Sequence, residues 1–265
     1  MKEELIKIGY NIIENPLIVS PHDYGIPQLR ERAIILAVKK DLFNKTLKLS
    51  IERKKRNSSN MNTILINNKN DEYDLSKYRI SKYQEKILIM WDEFIKGINE
   101  KVIGFPVWAD WFKNENISSK FPKWKLEFIN KNKQLYKNNK KFIDKWLIKY
   151  KNLKDIQPTE RKFEWQVQGK LNSVFDGIIQ FRPSGIRVKL PTEFPALVAM
   201  VHVPIIGKEK RYITPREAAN LQSFPSNFKI PQNDTLAYKQ FGNAVNVKVI
   251  KNVFKTFIEY IKERR

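Results

Sequence analysis

Cysteine is absent from this 265-residue sequence. Disulfides, thiolate-held metals and a cysteine nucleophile on this polypeptide are thereby excluded. Histidine is almost absent: His22 and His202 are the two present, too few for a histidine-rich metal centre. No metal cofactor is expected. His202, inside an apolar run, reads as a packed or surface residue rather than a ligand. No apolar stretch approaches the roughly 20 residues that span a bilayer. The start, Met1-Lys-Glu-Glu-Leu-Ile6, lacks the apolar core of a signal peptide. A cytoplasmic location with no membrane partner is the expectation, and no internal repeat is visible.

What the chain has in excess is positive charge. Its formal net charge is +22, and 42% of its residues are hydrophobic, enough for a core and for one or two domains. Residues 1–40 carry 6 basic and 5 acidic side chains, residues 213–265 carry 9 and 4, and residues 41–212 carry 35 and 19. A strongly basic middle between milder ends marks a polyanion-binding insert, with nucleic acid first among the candidates. An AT-rich coding sequence inflates lysine and asparagine in the same way, so composition alone leaves both readings open.

Residues 9–20 are β-leaning with a break at Pro16, and Gly25 and Pro27 mark a loop. The apolar run Ala33-Ile-Ile-Leu-Ala-Val38 predicts a strand buried on both faces. Arg30 and Arg32 sit two apart at its start, on one side of an extended chain. A guanidinium fork there can grip a phosphate or a base edge; ordinary surface arginines at a strand end are the plain alternative. Residues 41–80 read as a loop-rich entry to the insert. The spacing of Ile87, Trp91, Phe94, Ile95 and Ile98 predicts an amphipathic helix over 82–98, with Trp91 in the core. Pro106, Trp108, Trp111, Phe112, Phe121 and Trp124 form an aromatic, proline-interrupted stretch that reads as small-domain core in preference to a base-stacking platform. A further helix is expected over 134–150, with Leu135, Phe142, Ile143, Trp146, Leu147 and Tyr150 on one stripe and lysines opposite.

Beyond Pro158 the pattern changes to strands and turns. Residues 163–168 alternate, and residues 175–189 predict a hairpin about Pro183-Ser184-Gly185. Arg182, Ser184 and Arg187 at that turn are candidates for contacts in a DNA groove. Residues 194–204 read as one more buried strand. From about Asn246 a helix is expected nearly to the end, with Ile250, Val253, Phe254, Phe257, Ile258 and Ile261 as its buried stripe. Just before it, Gly242-Asn243 permits a tight turn where backbone can approach a ligand. Upstream, Thr214-Pro-Arg-Glu217 is a helix start: Thr214 suits the N-cap, Pro215 the first helical position, and Glu217 the reciprocal capping position.

Three blocks now stand in order. Asp23-Tyr-Gly-Ile-Pro-Gln-Leu-Arg-Glu-Arg32 resembles the Gln-x-Arg-x-Arg motif, the eighth, of the DNA (cytosine-5) methyltransferases. Arg211-Tyr-Ile-Thr-Pro-Arg-Glu-Ala-Ala-Asn-Leu-Gln-Ser-Phe-Pro225 resembles their ninth motif, and Gln240-Phe-Gly-Asn-Ala-Val245 their tenth. The resemblance implies a mixed α/β fold. Residues 1–40 and 213–265 would form part of a Rossmann-like, S-adenosylmethionine-dependent catalytic domain. Residues 41–212 would be an inserted α+β target recognition domain.

By the same resemblance, Gln28, Arg30 and Arg32 line the catalytic pocket, with Arg32 on a flipped cytosine and Arg30 on the adjoining phosphate. Gly242, Asn243 and Ala244 approach the S-adenosylmethionine site. Thr214, Pro215, Arg216 and Glu217 organise the recognition domain against the catalytic domain. Ala196-Leu197 stands where a Thr-Leu pair is frequent, and Asn246 near a frequent proline, a change expected to matter little. The family's amino-terminal half carries a glycine-rich cofactor loop, a Pro-Cys nucleophile loop and a Glu-Asn-Val motif, none of which occurs here. The chain therefore resembles one subunit of a split restriction-modification methyltransferase. Double-stranded DNA and a complementary amino-terminal half are its expected partners. An inactive truncated remnant and a stand-alone sequence-specific DNA-binding module are the competing readings.

Overall fold

The computed structural model describes residues 2–51, 60–66, 74–118, 120–197 and 202–264. In chain order they form α1 (Lys2–Lys7), β1 (Tyr10–Ile12), β2 (Leu17–Val19), β3 (Arg32–Ile34), β4 (Ala37–Lys39), α2 (Lys82–Gly97) and β5 (Val107–Trp108). There follow α3 (Lys123–Asn138), α4 (Lys140–Lys149), β6 (Lys162–Gln166), β7 (Ile178–Arg182), β8 (Gly185–Lys189), β9 (Ile205–Ile206) and β10 (Arg211–Tyr212). The chain closes with α5 (Pro215–Leu221), α6 (Asp234–Asn243) and α7 (Val247–Arg264). The fold is mixed α/β, and no described helix is long and apolar enough to cross a membrane. Two compact units arise: residues 1–67, 195–200 and 215–265 form unit one, and residues 68–194 and 201–214 form unit two.

Unit one holds two antiparallel pairs, β1 with β4 and β2 with β3. Leu17 and Val19 point to one side of β2 and are buried, while Ile18 between them is exposed. The buried side packs against Val249, Val253 and Phe257 of α7, together with Leu36, Phe43 and Leu47. Each such side chain contributes roughly 1.5–3 kcal/mol by leaving water.

Two expectations change here. Residues 33–38 are not one strand buried on both faces: β3 ends at Ile34, β4 starts at Ala37, and Ala33 and Ile35 are exposed. Among the described residues each short strand has one paired edge and one covered face. The stripe of α7 is also rotated from the expected one. Phe254 is 53% and Ile258 47% exposed, because the helix is apolar around more than half its girth and only its 249/253/257 side meets strands.

Unit two is built on a six-stranded sheet in the order β10-β9-β7-β8-β6-β5. Only the β6–β8 pair is parallel. Phe163, Trp165, Ile179, Ile186 and Val188 alternate onto one face and join the core formed with α2 and α4. Trp91 is fully buried and stacks on Phe163 with ring centroids 4.7 Å apart. Its indole N–H donates to the Glu160 carbonyl at 2.9 Å, which satisfies the polar edge of a buried ring. Ser81 and Gln84 close a capping box on α2, each at 3.1 Å.

The helix expected over 134–150 is two helices. Asn139 interrupts them: its amide donates to the Leu135 carbonyl at 3.0 Å, and its side-chain oxygen accepts from the Asn99 amide at 2.9 Å. Phe112 joins the core as expected of the aromatic stretch, but Trp124 is 55% exposed. The strand expected over 194–204 falls partly outside the described residues; residues 195–197 and 202–204 belong to no strand.

Candidate functional site

In unit one the loop between β2 and β3 is folded back on itself by Ser20. The Ser20 amide donates to Asp23 at 2.7 Å, and the Ser20 hydroxyl donates to the Gln28 carbonyl at 3.3 Å and accepts from the Arg30 amide at 3.1 Å. Gly25 turns the chain at φ 77°, a left-handed conformation that favours glycine. This clamp fixes the backbone on both sides of Gln28.

Gln28 is fully buried and its side-chain oxygen accepts from the Gln222 amide at 3.4 Å. Arg30 is 8% exposed, and its Nη2 donates to the Gly242 carbonyl at 2.8 Å. The first and third sequence blocks are therefore joined through a buried guanidinium. Its Nη1 is buried and has no hydrogen-bond partner among the described residues. Burial pushes the Arg30 pKa down, and the nearby Arg32 charge adds to that. Arg32 is exposed and donates to the Glu31 carbonyl at 2.7 Å. Both arginines border a cleft with Val19, Pro21, Ile34, Val245, Asn246 and Val249, whose volume of about 20 Å³ holds one water and no nucleobase.

Gly242 is buried at the end of α6, whereas Asn243 is exposed and Ala244 half-buried. Glu217 is fully buried in α5 and its carboxylate accepts from the Ile66 amide at 3.2 Å. Arg216 donates to the Phe228 carbonyl at 2.7 Å and so closes the turn after α5. Thr214 is buried at the end of unit two and Pro215 opens α5.

In unit two, Arg182 and Arg187 flank the β7–β8 turn, where Pro183 and Ser184 are exposed. Arg187 donates through Nε and Nη2 to Glu164 Oε2, both at 2.7 Å, and Arg182 Nη1 lies 3.5 Å from Glu164 Oε1.

A model of the C-5 cytosine-specific DNA methylases matches residues 1–259. The chain belongs to that family. Over 144 residues it is 35% identical to Type II methyltransferase M.AluI of Cellulosimicrobium cellulans, covering 54% of this chain and 27% of that protein. Over 282 aligned residues it is 25% identical to Type II methyltransferase M.HgiCI of Herpetosiphon aurantiacus, covering 95% of this chain and 66% of that one. The crystal structure of S. pombe Dnmt2 methyltransferase aligns with 98% of this chain and 59% of its own, at 16% identity and a TM-score of 0.39. This methylase-family chain thus spans less than two thirds of these proteins' lengths.

Two residues of the frame, Gln222 and Ser20, were given no role by motif reading, and a third, Asn246, was expected to matter little. Gln222 holds Gln28 and its carbonyl accepts from the Val247 amide at 3.0 Å. Ser20 clamps the loop. Asn246 carries more than the family resemblance implies: it donates to the Leu221 carbonyl at 3.0 Å and caps α7 by accepting from the Val249 amide at 3.1 Å. An asparagine just before a helical apolar stripe is the local signal that identifies it.

Proposed function

We propose that this chain is one subunit of a split DNA (cytosine-5) methyltransferase of a restriction-modification system, acting in the cytoplasm. The observation that carries the reading is the combination of a family match over residues 1–259 with a sequence that contains no cysteine. Methyl transfer to C5 of cytosine needs a thiolate to add at C6, and in this reading a complementary amino-terminal half with the Pro-Cys and Glu-Asn-Val motifs supplies it. Residues 1–40 and 213–265 complete the catalytic domain, and residues 41–212 recognise the DNA.

Arg32, exposed beside the cleft, contacts the flipped cytosine in a pocket that the partner half completes. Arg30 spends one nitrogen on Gly242 and keeps Nη1 for the adjoining phosphate. Gln28, held by Gln222, shapes the pocket wall. Gly242, Asn243 and Ala244 fit the edge of an S-adenosylmethionine site, since the backbone there is fixed from behind by Arg30 while Asn243 stays open to solvent. That cofactor supplies the electrophilic methyl group. Thr214, Pro215, Arg216 and Glu217 keep the recognition and catalytic domains in register. Arg182, Ser184 and Arg187 contact the DNA. The partner half covers the bare side of β2–β3 and the 254/258 face of α7.

The test is reconstitution with the complementary half, read as labelled methyl groups transferred to duplex DNA. The chain alone is expected to be inactive, the pair active, and the pair with Arg32→Ala inactive but still bound to DNA. A pair that binds cofactor and DNA yet transfers no methyl group overturns the enzyme in favour of a remnant or a stand-alone DNA-binding module. An unchanged rate in Arg32→Ala removes Arg32 from the site.

A further inference from the structure

The central sheet of unit two has two unlike faces. Strand pleating sends alternate residues to opposite sides, and Phe163, Trp165, Ile179, Ile186 and Val188 fill the core side. The registers Glu164↔Arg187 and Gln166↔Lys189 on β6–β8, and Gln180↔Arg187 and Arg182↔Gly185 on β7–β8, place their polar neighbours together on the other. Lys162 precedes them on β6. Around β6, β7 and β8 this side thus carries four cations, Lys162, Arg182, Arg187 and Lys189, against a single carboxylate, Glu164; at the far edge the same register adds Arg211, which is paired with Glu209 at 2.6 Å.

The cations are not independent. Glu164 is shared by Arg187 at 2.7 Å and Arg182 at 3.5 Å. Lys189 has no ion pair among the described residues, and Glu193 in the following turn and Glu164 act on it only through their charge. Burial pushes the Lys189 pKa down, and repulsion from Arg187 and Arg182 adds to it, outweighing the opposing pull of Glu193 and Glu164. The Arg182 pKa is lowered by burial first and then by Arg187. Four cations sharing one carboxylate leave this part of the face short of negative charge. One corner is covered, since Gln180 is buried and donates to the His202 carbonyl at 2.9 Å. Gln166, beside Lys189 at one end of the face, and Ser184, in the turn at the Arg182 end, are both exposed.

We propose that this polar sheet face is a DNA-backbone seat in which Lys189 and Arg182 each take a phosphate of the duplex while the Glu164–Arg187 pair holds the Arg182 head in place. The proposal rests on the DNA-methyltransferase reading and extends it to Lys189 and Glu164, which that reading leaves without a role. Lys189 pairs with Ile178, and Arg182 stands four residues further along β7, about 13 Å away along the strands, a separation that suits two phosphates of one nucleic-acid strand and not one compact anion. The one aromatic residue that the register places on this side, Trp108 opposite Lys162, is packed edge-on against Phe128 and Trp124 with centroids 5.7 and 6.5 Å away, so its ring is engaged within the protein rather than offered to unpaired bases. Duplex DNA, bound through its phosphates, is the occupant that fits.

The experiment measures binding of the full chain to a short mixed-sequence DNA duplex by fluorescence anisotropy over a range of salt. Arg182→Gln with Lys189→Gln is compared with Lys137→Gln and Lys141→Gln, which removes the same charge from exposed positions on α3 and α4. Neither of these helix lysines has an ion pair among the described residues. The sheet variant is expected to bind about tenfold or more weakly near 0.1 M salt, and to lower the slope of log K against log salt by about 2, one unit for each phosphate lost. The helix variant is expected to change binding by less than about threefold. Arg182→Lys with Lys189→Arg, which keeps both charges, is expected to restore most of the affinity and so separates a lost contact from a damaged fold.

Equal losses in the sheet and helix variants overturn the seat and leave bulk charge. Unchanged binding in the sheet variant, or a larger loss with duplex RNA than with DNA, also overturns it. If the seat holds while the reconstituted pair transfers no methyl group, the enzyme reading alone fails. If the pair transfers methyl groups and the sheet variant binds normally, the seat alone fails.

Discussion

Asn246 joins two helices with one side chain. Its amide satisfies the Leu221 carbonyl at the end of α5, and its oxygen caps the first turn of α7. Replacing it by alanine removes a cap worth about 1 kcal/mol and leaves a buried carbonyl unpaired at a cost of about 1–3 kcal/mol. Asn246→Ala is therefore expected to destabilise unit one by about 2–4 kcal/mol, and Asn246→Ser, which keeps the cap, by about 1 kcal/mol less. Denaturant unfolding measures both; equal losses in the two variants sink the capping half of the account. The residues of the site were legible in sequence to unequal depth. Arg30 and Arg32 are recognisable as a pair, and both border one cleft as their spacing implies, but their burial differs, one being buried and the other exposed. The cause is that β3 pairing starts only at Arg32, while Arg30 is directed by the Ser20 clamp before the strand begins. The Gln28–Gln222 contact joins positions 194 apart in sequence, and no local pattern announces such a pair.

Elements with a strong period were legible. The helix expected over 82–98 is α2, and the hairpin expected about Pro183-Ser184-Gly185 is β7–β8. Apolar runs without a period were not: residues 33–38 have the composition of a buried strand but, among the described residues, lack the neighbours that would bury them. The α3–α4 break escaped because lysines and apolar residues keep helical spacing across it, and only the Asn139 side chain, bonding back to Leu135, marks the stop. What then fastens α4 to α3 is Asp144. Its carboxylate accepts from Tyr136 of α3 at 2.9 Å and pairs with Lys113 at 2.5 Å and Lys140 at 2.6 Å. Lys113 first, then Lys140, hold this carboxyl well below the usual carboxylate range. A lowered folded-state pKa gives stability that is present above the unfolded value, about pH 4, and is lost as pH falls further. Because the lysines are more than half exposed, the contribution at neutral pH is expected to be at most about 1 kcal/mol. Asp144→Asn should lower the melting temperature at pH 7, and the gap from the unmodified chain should close toward about pH 2. A gap that stays constant over that range removes the ionic account.

At the scale of the whole molecule, apolar exposure is uneven. Of the 17 large hydrophobic residues exposed among those described, 11 lie in unit one, including Ile18, Ile35, Val247, Phe254 and Ile258. Unit one also has the weaker frame. Its sheets are two-stranded, and an isolated strand pair is marginally stable in water, whereas unit two has six strands around one aromatic core. The charge is unequal in the same sense, since the middle of the chain carries most of the positive excess. The two units therefore meet their surroundings differently: one presents uncovered apolar faces and the other presents cations. Anything that binds the folded form of unit one stabilises it by mass action. In the split-enzyme reading that ligand is the complementary half, and protection should be local. Amide hydrogen exchange over residues 17–19, 32–34 and 247–258 is expected to slow by about tenfold or more when the half is added at well above its Kd. Residues 163–166 and 178–189 should exchange as before in the absence of DNA. Slowing confined to unit two, or none at all under conditions where the pair transfers methyl groups, shows that the partner does not cover these faces, and the apolar exposure of unit one then needs another cause.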